Sequence, residues 1–322
     1  MMKEKTQNGQ FQADKHDFSY LDPDQQAKSY FVLQKKINTH PAPALDLTFM
    51  DADAITMLTH FFSREVNQSN HQSLVKFMME RVFNTPGVNG DSLSAVILSE
   101  SAMKLYVNGI SLPTYIKRDK EIPLVMAIAT PLKDKKNGVR VMERHSDLEG
   151  AMHFASRSGV QAIQLRSELI DPDEKGIAFA VQDQVNYASE AFALGIKPMF
   201  TFKIKQNNPH KAEIENLLYR ELDTALDMLE DKTAFINMPL PDESGFYEGF
   251  VNHPNVSRLF GNTLGMNLNA ACATLEKNKG VAPALGAIVF ESMDLSMPVH
   301  QFENQFTQGI YLMKKSSAIS FV

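Results

Sequence analysis

TAFINMPLP, residues 233–241, is an apolar run that ends in a turn, with a proline on each side of Leu240. Apolar residues occupy both parities of the run. A strand made from it buries both faces, as a parallel strand covered by helices does. One residue departs from the pattern. Asn237 sits in mid-run, where Leu or Val would pack better.

Seven other short runs share this character: PALDL (43–47), AVILS (95–99), PLVMAIA (123–129), AIQLRSEL (162–169), KPMFTFKI (197–204), SRLFGNT (257–263) and GAIVFES (286–292). Helical periodicity fills the gaps, as in DADAITMLTHFFSREV (51–66) and PHKAEIENLLYRELDTALDMLED (209–231). HSDLEGAMHFASRSG (145–159) adds a capping-box spacing, Ser146 to Glu149, and an exit glycine, Gly159. Eight strands alternating with helices over about 280 residues predict an α/β fold of the (β/α)8 TIM-barrel class. An open doubly wound sheet wants a glycine-rich turn after its first strand, and DLTFMDAD (46–53) has no glycine. The barrel is expected over 40–322, preceded by a polar N-terminal extension, 1–39. Within the extension, DPDQQAKSYFVLQKKI (22–37) reads as a helix capped by Asp22 or Asp24.

Composition narrows the partners. The chain has 322 residues, 43% hydrophobic and 22% charged, with a formal charge of −6. That is a globular composition, and nucleic acid is not an expected partner. No apolar run approaches the roughly 18 residues of a membrane span. MMKEKTQNGQFQADKHDF (1–18) lacks the apolar core of a secretory signal. Cys272 is the only cysteine, so an internal disulfide is excluded and a reducing, cytoplasmic location is expected. The nine histidines are scattered without metal-ligand spacing, and neither a metal nor a cofactor is expected. Seventeen methionines and no tryptophan read as a methionine-rich core.

In a barrel the chemistry sits where the strands end. The polar residues inside or after the apolar runs are Asp46, Ser99 with Glu100, Arg166 with Glu168, Thr201 with Lys203, Asn237, Asn262 with Thr263, and Glu291. Each alone reads as a cap or a local ion pair. Together they outline a polar pocket at a barrel mouth. Alternation places Met199, Thr201 and Lys203 on one face of their strand and Phe200, Phe202 and Ile204 on the other. If the first face points inward, Lys203 enters the pocket near Asp46 and Glu100.

Several stretches, in order and spacing, resemble the bacterial-type class I fructose-1,6-bisphosphate aldolases. They are ALD (44–46), ERVFNTPGVNGDSLSAVILSESAM (80–103), KNGVRVMERHSDLEGAM (136–152), QLRSELI (164–170), KAEIE (211–215) and HPNVSRLFGNTLGMN (253–267). The resemblance runs from about residue 40 to the C-terminus and leaves out 1–39. It implies a Schiff-base lyase with a lysine on the sixth strand, whose iminium draws electrons from the bond to be broken.

Residue by residue, the resemblance also implies losses. The sixth strand of the family reads ILKLTIP, and its lysine falls on Asn237, whose amide cannot form an imine. Lys232 stands at the wrong end of that strand. The K-x-R pair of the fourth strand becomes Gln164-Leu165-Arg166. The K-V-D-K of the third falls on Met126-Ala127-Ile128-Ala129, and the E-P-E of the fifth on Thr201-Phe202-Lys203. The S-G-G phosphate turn becomes Thr263-Leu264-Gly265, and a phosphate-holding arginine falls on Glu291 or Ser292. Asp46 and Glu100 are retained. Each lost charge-assisted contact is worth about 1.5–3 kcal/mol, so losing three weakens bisphosphate binding about a thousandfold or more.

Three readings stay open. One is a pseudoenzyme, degenerate for aldol cleavage, that binds a ligand or a partner. Another is a divergent Schiff-base lyase using Lys203 with Asp46 and Glu100. The last is a working glycolytic aldolase whose strand registers differ from those assumed. Arg166, Thr263 and Gly265 are the ligand-binding candidates, for a small carbonyl compound or a phosphorylated sugar. A homo-oligomer is expected from the resemblance, and residues 1–39 are a candidate segment for a protein partner.

Overall fold

Branched and aromatic residues fill the strand runs, where they suit a pleated surface buried on both sides. The computed structural model describes residues 43–46, 82, 85, 94–107, 124–128, 132–135, 137–142, 146–205, 207–241, 243–263, 266–285 and 298–318. In chain order the elements are β1 (Ala44–Asp46), β2 (Ala95–Ser99), α1 (Glu100–Val107), β3 (Leu124–Ala127), β4 (Leu132–Lys135), β5 (Val139–Met142), α2 (Ser146–Arg157), β6 (Ala162–Leu169) and α3 (Glu174–Ala193). They continue with β7 (Lys197–Lys203), α4 (Lys211–Asp227), β8 (Ala234–Pro239), α5 (Glu248–Val251), β9 (Val256–Asn262), α6 (Leu268–Lys277), β10 (Ala282–Ala284) and α7 (Val299–Ser317).

Parallel pairing runs β1–β2–β3–β6–β7–β8–β9–β10, and β10 pairs in turn with β1. The architecture is α/β and TIM-like. Two apolar layers follow from strand alternation. The larger joins outward strand residues such as Leu98, Phe200, Phe202 and Ile236 to helix residues such as Ile177, Leu218 and Phe302. The smaller comes from strands alone: Ala44, Ala95, Ile97, Val125, Ala127, Ala162, Met199, Phe235, Phe260, Ala282 and Ala284. That second set lines the interior, and its members are the register partners of one another around the sheet.

Two expectations are corrected and one unexpected element appears. The barrel position between β9 and β1 is occupied by Ala282–Ala284, ahead of the run 286–292 expected there, which lies outside the described residues. The reason is a proline: Ala-Pro-Ala reads as a strand breaker, yet it makes a short parallel strand here. Between β3 and β6 the chain adds an antiparallel hairpin, β4–β5, that continues through β5 onto β6. Its turn carries Asn137 and Gly138 at φ of 71° and 64°, the left-handed pair a tight hairpin requires. Met126, expected at the site, is fully buried in the helix-facing layer. A shift of one residue exchanges the faces of a strand, and Val125 and Ala127 face inward instead.

The helix over 146–157 forms as read, and Gly159 leaves it with φ of 73°. The segments 22–37, 51–66 and 286–292, with Gly265 and Glu291, lie outside the described residues.

Candidate functional site

At the C-terminal ends of the strands the interior parity carries a set of polar residues. From β6 come Gln164, Arg166 and Glu168, and from β7 come Thr201 and Lys203. Cross-strand register sets Arg166 beside Thr201 and Glu168 beside Lys203. Thr201 is in turn the register partner of Asn237 on β8. Asp46 ends β1 and is buried. So the face predicted for Met199, Thr201 and Lys203 is the inward one, opposite Phe200, Phe202 and Ile204.

Two tiers result. The lower tier is neutral. Gln164, Thr201 and Asn237 are 2%, 0% and 1% exposed. Among the described residues, Gln164 Oε1, Thr201 Oγ1 and both amide atoms of Asn237 have no hydrogen-bond partner. A buried polar group left unpaired costs about 1–3 kcal/mol, so four such atoms on adjacent inward positions are not what packing alone selects. Beneath them lie Met199 and an edge-on pair of rings, Phe235 and Phe260, with centroids 5.9 Å apart.

The upper tier is charged. Arg166 Nη2 donates to the Ile128 carbonyl at 2.6 Å. Glu168 Oε2 accepts from Arg140 Nη1 of β5 at 2.7 Å, and Arg140 also reaches Asp134 of β4 at 2.9 Å. The hairpin is thereby tied to the pocket rim. Lys203 is half-buried and makes no hydrogen bond or ion pair among the described residues. Desolvation holds its amine below the usual lysine range, helped by the neighbouring Arg166 cation and opposed by Asp46 and Glu168.

Other expected residues go elsewhere. Glu100 opens α1 and pairs with Lys104 at 2.7 Å, and it is not among the groups acting on Lys203. Ser99 caps the same helix, its Oγ accepting from Ala102 N at 3.2 Å. Thr263, a phosphate candidate, is fully buried and donates its hydroxyl to the Ala284 carbonyl at 2.7 Å. Glu168 was one of several strand-end polar residues, and register with Lys203 singles it out. Gln184 was missed. Buried on α3, it donates to Ser167 Oγ at 2.9 Å and the Thr201 carbonyl at 3.0 Å, and accepts from Thr201 N at 3.1 Å. The signal was available: an amide on a helix face otherwise made of Ile177, Ala180, Val181 and Ala188.

Among the described residues, such a chamber offers amide and hydroxyl groups to uncharged oxygens below, and the arginine Arg166, the amine of Lys203 and the carboxylates of Asp46 and Glu168 above. No group of three or more potential metal ligands occurs among the described residues. No described helix is long and apolar enough to cross a membrane.

No family model matches the chain. Among solved structures it is similar to a fructose-bisphosphate aldolase from Plasmodium falciparum, determined in a ternary complex with TRAP and a small-molecule inhibitor. The TM-score is 0.65 at 14% sequence identity, over 93% of this chain and 97% of that one. The fold is therefore aldolase-like, and at this identity the likeness extends to the fold alone.

Proposed function

We propose that this barrel is a relative of the bacterial-type class I aldolases that no longer cleaves a ketose bisphosphate and instead holds a small polar ligand with one anionic group. One observation carries the reading. Asn237, at the position the resemblance assigns to the imine-forming lysine, is buried with neither amide atom hydrogen-bonded among the described residues, and Thr201 Oγ1 and Gln164 Oε1 are in the same state. An amide cannot condense with a ketone, yet it hydrogen-bonds hydroxyl and carbonyl oxygens well. Arg166 supplies a single fork for one phosphate or carboxylate. Two phosphates would need more cations than the described residues of this rim offer, because Arg140 is already committed to Glu168 and Asp134.

Calorimetric titration with dihydroxyacetone phosphate, beside a coupled assay for fructose 1,6-bisphosphate cleavage, tests this. The expected result is saturable monophosphate binding, weakened about tenfold or more in Arg166→Gln, with no cleavage. Cleavage at a rate typical of enzymes, or no binding of the monophosphate, contradicts it.

A second reading rests on Lys203. Its desolvated amine, unpartnered among the described residues, supports imine formation from β7: the nitrogen adds to the carbonyl carbon, and Asp46 or Glu168 takes the amine proton and returns it to the hydroxyl, which leaves as water. The cytoplasmic location and the homo-oligomer belong to the proposal as well, and native mass spectrometry tests the second.

A further inference from the structure

The opposite pole of the barrel, where the strands begin, holds a cluster that the mouth does not use. Lys197 opens β7 and Arg258 lies near the start of β9. Both stand at interior register positions, Lys197 beside Ala162 and Arg258 beside Phe235. Lys197 Nζ donates to Thr233 Oγ1 at 2.9 Å and Ser257 Oγ at 2.5 Å, and it lies 5.2 Å from the Phe235 ring centre. Arg258 Nη1 makes one long contact, 3.5 Å, to the Ser94 carbonyl. A guanidinium has five N–H donors, so most of this one is uncommitted.

No carboxylate pairs with either cation among the described residues. Ser94 itself is 4% exposed and keeps a hydroxyl without a hydrogen-bond partner. Two partly buried like charges with no counter-charge among the described residues are costly unless an anion joins them. The environment agrees. Burial lowers the Lys197 amine, with Arg258 adding to the effect, and burial lowers Arg258 to about 10, leaving it charged at neutral pH. Phe235 and Phe260 lie between this pole and the polar tier of the mouth.

We propose that the N-terminal pole of the barrel is a second anion site, in which Lys197 and Arg258 hold a phosphate or carboxylate group between them and Ser94 offers a further hydroxyl. Its ligand class is a small oxyanion, either inorganic phosphate or the terminal phosphate of a metabolite. Occupancy stabilises the folded chain by mass action.

The test is thermal unfolding of the full chain in rising inorganic phosphate, with chloride holding the ionic strength constant. The expected result is a saturable rise in Tm with phosphate. In the Arg166→Gln background, where the mouth no longer holds phosphate, the rise persists, and its apparent affinity falls about tenfold or more on adding Lys197→Met or Arg258→Gln. Circular dichroism checks that each variant is folded. If Arg258→Gln fails that check, Lys197→Met decides alone. Absence of any saturable rise, a rise in that background that survives Lys197→Met, or one seen only where Arg166 is intact overturns the proposal. The last of these would put the phosphate at the mouth.

Discussion

Asn237 concentrates the functional argument at the scale of one residue. A buried amide with neither atom paired is retained at a cost to stability. Asn237→Leu, similar in volume and free of that cost, is predicted to raise unfolding stability by about 1–3 kcal/mol. The same change is predicted to weaken monophosphate binding about tenfold, the trade expected where a site is kept at the expense of the fold. Chemical denaturation and calorimetry check the two halves separately. Lys203 makes a second prediction at this scale. Its folded-state pKa lies below the unfolded value of about 10.4, with desolvation as the main cause. Between the two values the unfolded chain binds the extra proton, so stability rises with pH through that window. Below it both states are charged, and the folded state bears the full cost. Lys203→Met is therefore predicted to be more stable than the parent at neutral pH, with the gap closing as pH approaches about 10. Urea unfolding at stepped pH measures it, and a gap that does not change with pH would contradict the assignment.

At the scale of elements, the sequence shows what local patterns can and cannot specify. The runs 95–99 and 162–169 match β2 and β6 residue for residue, because continuous apolar stretches between polar turns leave little choice of boundary. Face assignment was harder. Alternation separated the two faces of β7, one parity aromatic and the other mixed, and left open which of them points inward. It did not resolve β3, where LVMA is apolar on both parities and only tertiary register decides that Met126 faces the helices. Burial also hides in patterns that look wet. Lys211 and Glu215 of α4 seem to belong to a solvated face, yet their side chains are 6% and 5% exposed and lie 3.5 Å apart. Lys211 also donates to the Leu240 carbonyl, tying α4 to the turn after β8. Lys211→Met removes the cation that faces the buried Glu215 carboxylate and is predicted to destabilise by about 3–5 kcal/mol, measured by urea unfolding at neutral pH. A loss below about 1 kcal/mol, the range of surface pairs, would contradict the burial.

For the whole molecule, a TIM-like ring of parallel strands puts chemistry at one end and leaves the other for stability or, as inferred for Lys197 and Arg258, for an anion. The barrel was legible because its period of strand and helix repeats along the chain. The site was legible in part: Asp46, Gln164, Arg166, Thr201, Lys203 and Asn237 come together, whereas Glu168 and Gln184 gain their places only through cross-strand register and helix packing. The most direct measurement is borohydride trapping of the full chain with fructose 1,6-bisphosphate and with dihydroxyacetone phosphate, read by intact and peptide mass. The account predicts that Lys232 and the β8 peptide stay unmodified while the monophosphate still binds, and an adduct confined to Lys203 would select the second reading. An adduct on Lys232, or turnover of the bisphosphate, would contradict the claim that β8 no longer carries the chemistry.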